Sequence, residues 1–228
     1  MALLLLVPTR GRPQNAVALL ESFRNTATLG DSVCLFLVDE DDEQLDSYLE
    51  SLPPENVEVN EAIGSMVAAL NASATLHAAI NVYNYLGFMG DDHRPRTLGW
   101  DKIFTDQLAS VGGGFVYGND LFQGMSLPTH IVMNTSIVGA LGWMSPPNLK
   151  HLYVDDSWLY LGDAVGRLYY FEDVVIEHMH PMVGKSAMDS GYERVNDPGM
   201  YHADRGAFEA WKTNSAAKDI ETVRRILL

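Results

Sequence analysis

The sequence contains little cysteine and little positive charge. Cys34 is the only cysteine among 228 residues, which excludes an internal disulfide framework and favours a reducing, intracellular compartment. Lysine and arginine total 15 against 30 aspartates and glutamates, a formal net charge of −15. Because sequence-independent binding of nucleic acid depends on cations that replace phosphate counterions, this charge disfavours such binding, although it leaves room for a local basic patch.

The sequence also lacks a hydrophobic run long enough to cross a membrane. The apolar stretch Ala2–Val7 is too short for a transmembrane helix and has neither a basic start nor a small-residue cleavage site. We interpret it as the buried first strand of a soluble, cytoplasmic protein. With 47% hydrophobic residues and no strong linker, residues 1–228 are expected to form a single domain.

Strand and helix signals alternate through the first half of the chain. We expect strands at Ala2–Val7, Val33–Val38, Val57–Val59 and Tyr85–Met89, with helices at Gln14–Asn25, Gln44–Leu52 and Ser65–Ala79. This βαβαβαβ order predicts an α/β fold with a mainly parallel sheet and right-handed crossovers.

The second half of the chain has a more irregular pattern. We expect helices at Trp100–Leu108, from about Tyr153 to Leu161 and across much of Ala207–Ile226, strands at Phe115–Tyr117 and His130–Met133, and a strand pair at Leu168–Phe171 and Val174–Ile176. Glycine, serine, aspartate and proline dominate Gly184–Gly199, which we interpret as a mobile loop. The sheet is therefore expected to carry a C-terminal extension of loop and helix.

Polar residues follow three of the predicted parallel strands. These residues are Thr9-Arg10-Gly11-Arg12, Asp39-Glu40-Asp41-Asp42 and Asp91-Asp92-His93. Because the carboxyl ends of parallel strands lie at one edge of a sheet, the three groups are expected to converge on one crevice. Within the second group only Asp39 is a candidate site residue, and the other three acids are interpreted as an exposed loop and helix start.

The group Asp91-Asp92-His93 is the most informative part of the sequence. Burying two adjacent carboxylates costs several kcal/mol each unless a cation compensates them, and a divalent metal ion is the usual compensation. In an extended chain Asp91 and His93 face the same side and can hold one ion, while a second register uses Asp92 instead. A solvated turn ending at Pro95 is the alternative without function.

These motifs, taken in order, resemble those of the GT-A glycosyltransferases, particularly the family 2-like enzymes of small bacterial and phage type. The resemblance extends from Leu3 to Lys185. It is carried by Val7-Pro-Thr-Arg-Gly-Arg-Pro13, Val38-Asp39, Gly90-Asp-Asp-His93, Tyr153-Val-Asp-Asp-Ser-Trp158 and His178-Met-His180.

The resemblance implies a nucleotide-sugar donor, UDP- or GDP-linked, bound by residues 1–95, with an acceptor side at 96–182 and a loop and helix at 183–228. Donor contacts are expected from Pro8, Thr9, Arg10, Arg12, Asp39, Asp91, Asp92 and Lys185. The group Asp91-Asp92-His93 stands where the family has Asp-x-Asp, which binds ribose and a divalent metal. Histidine in the last position is a departure that favours Mn²⁺ over Mg²⁺. The metal ligands are then expected among Asp91, Asp92, His93, His178 and His180.

The implied mechanism is displacement at the anomeric carbon, with a carboxylate that accepts the proton of the acceptor hydroxyl. The matching motif makes Asp156 the first candidate for this base and Asp155 the second, and a helix cap is the alternative role for the pair. In a retaining enzyme the role of base would lapse. Trp158, Trp100 or Trp143 would stack on a sugar.

Other functions remain open at this point. A sugar nucleotidyltransferase shares a related fold, but its glycine-rich first loop is absent from Pro8-Thr-Arg-Gly-Arg12. A non-catalytic module that binds a nucleotide-sugar or glycan is a further alternative. The acceptor would be a glycan, a protein, a small molecule or, less favoured by the acidity, a modified DNA base. If the gene is phage-encoded, the protein would act in the host cytoplasm.

Overall fold

The computed structural model describes residues 2–61, 64–188, 191–192 and 197–228. The strands are β1 Leu3–Pro8, β2 Val33–Asp39, β3 Val57–Asn60, β4 Tyr85–Phe88, β5 His93–Pro95, β6 Phe115–Asn119, β7 Ile131–Asn134 and β8 Leu168–His178. The α-helices are α1 Pro13–Thr26, α2 Leu45–Ser51, α3 Met66–Ile80, α4 Trp100–Val111, α5 Thr135–Leu141, α6 Val154–Val165, α7 Pro198–Asn214 and α8 Ala216–Ile226. No helix among these residues is long and apolar enough to span a membrane.

The strands form one mixed sheet in the order β3-β2-β1-β4-β7-β6-β8-β5. The first four strands are parallel, as predicted. Strand β7 runs antiparallel to both β4 and β6, whereas β6 and β8 are parallel to each other. The carboxyl ends of β1, β2, β4, β6 and β8 therefore lie at the same edge of the sheet.

The sheet is buried on both faces by two apolar clusters. Leu4 and Leu6 of β1 pack into one cluster, with α3, α5, α6 and the C-terminal helices. Leu3 and Leu5 pack into the other, with α1 and α4. A central strand covered on both sides needs apolar residues at every position, which explains the continuous run that opens the sequence. The predicted α/β fold is confirmed.

The predicted strand pair after residue 168 is wrong, because β8 is a single strand. Its register against β6 shifts between Gly118 and Asn119, which pair with Phe171 and Val175. The residues Glu172 and Asp173 bulge out and are exposed. A Cβ atom on Gly118 would lie 2.3 Å from the carbonyl oxygen of Val174, so only glycine permits this approach.

The C-terminal region also differs from the prediction. Helix α7 begins at Pro198 rather than near Ala207, and Ser215 separates it from α8. Asp197 caps α7, since its carboxylate accepts hydrogen bonds from the N–H groups of Gly199 (2.8 Å) and Met200 (3.3 Å). The loop predicted at 184–199 is thus wrong at residues 198 and 199, which belong to α7. Its positions 189–190 and 193–196 lie outside the described residues.

Candidate functional site

The three polar groups that follow β1, β2 and β4 lie together, as predicted. Thr9, directly after β1, donates its hydroxyl to the Asp91 carboxylate at 2.6 Å and lies 2.9 Å from the hydroxyl of Tyr48. Arg10 contacts the carboxylates of Asp39 at 3.0 Å and Asp41 at 2.6 Å. One crevice at the carboxyl edge therefore collects a hydroxyl, cations and carboxylates.

The two arginines of the first loop reach different parts of this crevice. Arg10 is directed to the end of β2, where burial raises the pKa of Asp39 and the Arg10 guanidinium acts in the opposite direction. Arg12 lies 3.4 Å from the Asp91 carboxylate, and its guanidinium lies over the ring of Tyr192 at 4.3 Å. Pro8 is the last residue of β1 and pairs with Leu37 of β2.

Asp42 has a different environment from the exposed loop that the sequence suggested. It is only 6% exposed, and its carboxylate accepts hydrogen bonds from the N–H groups of Gly11 and Gln44, both at 2.8 Å. The hydroxyl of Tyr48 also accepts from the Arg12 N–H at 2.7 Å. Asp42 and Tyr48 therefore fix the loop that carries Thr9.

Asp92, His93 and His178 form a cluster whose ligand atoms lie within 4.8 Å of one another. The short strand β5 pairs with β8 so that His93 and His178 are directly opposite each other, and their rings stack with centroids 4.3 Å apart. The two oxygens of Asp92 lie 3.3 Å from His93 Nδ1 and 3.3 Å from His178 Nε2. One carboxylate with two imidazoles is a donor set that fits a divalent transition-metal ion.

This cluster does not include Asp91 or His180. The Asp91 carboxylate contacts Thr9 and Arg12 instead. His180 Nδ1 accepts a hydrogen bond from the Met182 N–H at 3.2 Å, and its ring stacks on Phe122 at 5.2 Å. The arrangement therefore corresponds to the second register considered for the acidic motif, in which Asp92 rather than Asp91 lies beside His93.

The adjacent aspartates have opposite electrostatic properties. Burial and the neighbouring Asp92 raise the pKa of Asp91 to about 6, against the opposing effects of Arg12 and Thr9. Burial also acts against ionisation of Asp92, but the adjacent imidazoles of His178 and His93 hold its pKa well below the usual value. Burial disfavours the charged form of His178, yet Asp120 and Asp92 raise its pKa to about 9. The surroundings of the cluster thus favour the ionised form of Asp92 and the protonated form of His178.

Asp155 and Asp156 occupy the first turn of α6. Helix α3 follows the parallel strand β3, so its first turn lies at the carboxyl edge of the sheet. The Val67 N–H in this turn donates a hydrogen bond to the Lys150 carbonyl, which places the segment before α6 at the same edge. Asp155 accepts a hydrogen bond from the Asp156 N–H at 3.0 Å. Burial and Asp156 raise the pKa of Asp155 to about 7, and burial also raises the pKa of Asp156.

Two other sets of predicted residues have the following positions. Lys185 lies 2.9 Å from the carboxylate of Glu177, the residue before His178, and its contact with a donor stays a prediction. The tryptophans expected to stack on a sugar are buried in the core, with exposures of 0% for Trp100, 8% for Trp143 and 1% for Trp158. That expectation is wrong.

The sequence does not indicate four residues of the site. Tyr48 is expected only as part of a helix, and Asp120, Thr129 and Tyr192 belong to no recognised motif. The hydroxyl of Tyr192 donates to Asp92. Asp120 follows β6 directly, at the same sheet edge as the other polar groups, so its position after a strand was a usable signal.

Comparisons with known proteins bear on the fold. The sequence matches no family model and no curated protein. The fold is similar to that of a mannosyltransferase from Pyrobaculum calidifontis, PcManGT, in complex with GDP-Man and Mn²⁺, with 13% identity, a TM-score of 0.59 and coverage of 98% of this chain and 73% of that chain. S. aureus TarS 1-349 in complex with UDP-GlcNAc has 13% identity and a TM-score of 0.59, over 100% of this chain and 72% of that chain.

A cytidylyltransferase from Leptospira borgpetersenii is also similar, with 12% identity, a TM-score of 0.51 and 75% of each chain covered. Identities at this level are evidence for the fold alone. The chain therefore has the GT-A fold that the resemblance of its motifs implies, and glycosyltransferases are among the proteins of similar fold.

Proposed function

We propose that the protein is a metal-dependent glycosyltransferase that moves a sugar from a nucleotide-sugar to an acceptor hydroxyl. The observation that carries the proposal is the cluster of Asp92, His93 and His178 at the carboxyl edge of a GT-A sheet. It lies beside a loop that offers a hydroxyl and two arginines. These are the groups that a diphosphate with a bridging metal ion requires.

Asp92, His93 and His178 would hold the metal ion, with Mn²⁺ preferred over Mg²⁺ because two of the ligands are imidazoles. His180, whose ring centroid lies 5.0 Å from that of His178, is a candidate for one further ligand. When bound, the cation would stabilise negative charge on the departing nucleoside diphosphate. The ligand His178 must lose its proton before it can bind a metal.

The remaining polar residues of the crevice would bind the donor. Asp91 would accept a hydrogen bond from the ribose, held in place by Thr9 and Arg12, while Asp39 would contact the base or ribose of a UDP- or GDP-linked sugar. Further contacts are assigned to Pro8 in the nucleotide pocket, and to Arg10 and Lys185 at the phosphates. In the structure these cations are paired with carboxylates, and phosphate oxygens would compete for them.

Asp156 would accept the proton of the acceptor hydroxyl, and Asp155 is the second candidate. Asp155 has the pKa of about 7 and keeps its proton to higher pH. The Asp156 pKa is raised by burial but lowered by the hydrogen bond from Asp155 and by Lys212. The groups that favour the charged form, Lys212 and the hydrogen bond from Asp155, therefore act on Asp156, and the charged form is the one a general base requires.

Calorimetric titration of Mn²⁺ and then of UDP, GDP and their sugars tests this proposal. The wild-type chain is expected to bind one nucleotide in a metal-dependent manner. The variant Asp92→Asn is expected to lose this metal-dependent binding. Asp101→Asn is a matched control, since Asp101 is a buried carboxylate that accepts hydrogen bonds from Thr28, Leu29 and Ser32, away from the site. Failure of the wild type to bind any nucleoside diphosphate would refute the proposal.

Sugar nucleotidyl transfer is the second candidate, supported by the similarity to a cytidylyltransferase. A nucleotidyltransferase would release pyrophosphate from a nucleoside triphosphate and a sugar 1-phosphate. A glycosyltransferase would instead release a nucleoside diphosphate from a nucleotide-sugar and an acceptor. Measuring which of the two products forms separates the candidates. An acceptor glycan, protein or small molecule remains compatible with the proposed site.

A further inference from the structure

We propose that Asp120 is a positioning residue that orients both imidazoles of the metal cluster, His93 and His178, through a single carboxylate oxygen. This inference rests on the proposed function, because it assumes that the cluster binds a metal ion. No motif marks Asp120, and it is not itself part of the cluster of ligand atoms.

The two oxygens of Asp120 have different partners. Its Oδ1 accepts hydrogen bonds from three successive N–H groups, those of Phe122 (2.9 Å), Gln123 (2.7 Å) and Gly124 (2.8 Å). These bonds fix the turn after β6 and hold the carboxylate, which is 1% exposed. A purely structural role would be complete with Oδ1 alone.

The second oxygen, Oδ2, is directed toward the histidines. It lies 3.8 Å from Nδ1 of His178, a buried nitrogen without a hydrogen-bond partner among the residues that the structure describes. It also accepts a hydrogen bond from the Thr129 hydroxyl at 2.9 Å. Oδ2 is thus within ion-pair distance of the His178 imidazole, and the Thr129 hydroxyl links it to the His93 imidazole.

Thr129 extends this contact to His93. Its oxygen lies 3.3 Å from His93 Nε2, and because its hydrogen is donated to Asp120, it must accept from an Nε2–H group. The Gly90 N–H donates to His93 Nδ1 at 3.1 Å, which requires the same tautomer. His93 Nδ1, which lies 3.3 Å from an Asp92 oxygen, therefore carries no hydrogen in this arrangement.

The same oxygen of Asp120 acts equivalently on His178. An Nδ1–H group facing Oδ2 leaves Nε2, which lies 3.3 Å from Asp92, available as the ligand atom. A carboxylate that holds the far nitrogen of a metal-binding histidine fixes its tautomer and ring orientation, and its loss typically weakens metal affinity about 10- to 100-fold. Here one carboxylate would serve two histidines from adjacent elements.

The variant Asp120→Asn separates the two roles of the residue. Its carbonyl oxygen can still accept the three N–H groups of the turn, while an amide nitrogen replaces Oδ2 and presents hydrogens to Thr129 and His178. Titration of Mn²⁺ into the metal-free chain of residues 1–228 is expected to show about 10- to 100-fold weaker binding. The control Asp101→Asn, another buried carboxylate that accepts from N–H and hydroxyl groups, is expected to bind Mn²⁺ like the wild type.

A second pair of variants keeps the test decisive if Asp120→Asn does not fold. Thr129→Val removes the hydroxyl link to His93 and is expected to weaken Mn²⁺ binding, whereas Thr129→Ser retains the link and is expected to restore it. If Asp92→Asn loses Mn²⁺ binding but Asp120→Asn or Thr129→Val binds Mn²⁺ with wild-type affinity, the inference is overturned. If the wild type binds no Mn²⁺, the proposed function and this inference both fail.

Discussion

Of the three Asp-Asp dipeptides in the chain, the two that hold candidate metal or base residues, Asp91-Asp92 and Asp155-Asp156, have different chemistry. Asp91-Asp92 follows β4 and is surrounded by Arg12, His93 and His178. Asp155-Asp156 begins α6, where the positive charge of Lys212 lowers the pKa of Asp156 against the effect of burial. The comparison indicates that the neighbours of a carboxylate pair, rather than the pair itself, decide between holding cations and accepting protons.

The two environments arise from different elements of the fold. Strand pairing between β5 and β8 places two histidines opposite each other beside Asp92, which keeps that carboxylate ionised. The pair at α6 has a backbone N–H at 3.0 Å as its partner, and burial leaves Asp155 with a raised pKa. We therefore expect substitutions in the first pair to alter metal and donor binding, and substitutions in the second to alter proton transfer.

The largest expected effect is that of Asp156→Asn on turnover. Loss of a general base lowers kcat by about 100- to 10,000-fold, while Mn²⁺ and donor dissociation constants should remain within about twofold of the wild type. Steady-state kinetics with an identified acceptor, combined with calorimetry, checks this outcome. If Asp155→Asn produces the larger loss of kcat, Asp155 is the base and the order proposed for the pair is reversed.

Asp92→Asn is expected to have the complementary effect. It removes the carboxylate ligand of the cluster, so Mn²⁺ affinity should fall by at least about 100-fold, the upper range for loss of a group that only orients a ligand. Calorimetric titration of Mn²⁺ into the metal-free chain measures this change. Equal loss of Mn²⁺ binding in Asp156→Asn would abolish the distinction between the two pairs.

The parts of this comparison that could be predicted from sequence are those set by local pattern. The continuous apolar run of β1 and the polar residues after β1, β2 and β4 located the crevice, because parallel strands end at one edge. The Asp-Asp-His group located the cluster. The alternation of side chains along an extended strand did not decide whether Asp91 or Asp92 lies beside His93. The tight turn at β5, which lets His93 face His178, was not visible in the sequence.

The features that could not be predicted depend on contacts between distant parts of the chain. Asp42 is buried because the Gly11 N–H, 31 positions away, donates to it. Strand β8 stays continuous through Glu172 and Asp173 because Gly118 of another strand allows a bulge. By contrast, the start of α7 had a local signal in Asp197-Pro198, a capping residue followed by proline at the first helical position.

A smaller effect is expected for Thr9→Val, which tests how the first pair is held. The Thr9 hydroxyl donates to Asp91 at 2.6 Å and contacts the Tyr48 hydroxyl, and a hydrogen bond to a charged group contributes about 1.5–3 kcal/mol. Denaturant unfolding should show a loss of stability in this range, with weaker donor binding. Tyr48→Phe removes only a hydroxyl–hydroxyl contact and one backbone bond from the Arg12 N–H, and it should cost less.

The smallest expected effect concerns Asp155 and the dependence of stability on pH. Its folded-state pKa is raised from 3.8 to about 7, so the folded protein binds more protons than the unfolded chain across this window. Its contribution to stability is therefore fully present below about pH 4 and is lost as the pH rises through 7. Asp155→Asn cannot ionise, and its melting temperature should fall less than that of the wild type between pH 4 and 7.

The difference between the two thermal profiles isolates Asp155 from other groups with a raised pKa, such as Asp91, because those groups are present in both proteins. A stability change of 1 kcal/mol corresponds to about 2–4 °C in a domain of this size, and a gap of that order that opens with rising pH is the expected result. Parallel profiles would mean that the environment of Asp155 does not oppose its charge. The second pair would then be as well compensated as the first, and the electrostatic distinction between them would rest on Asp92 and its histidines alone.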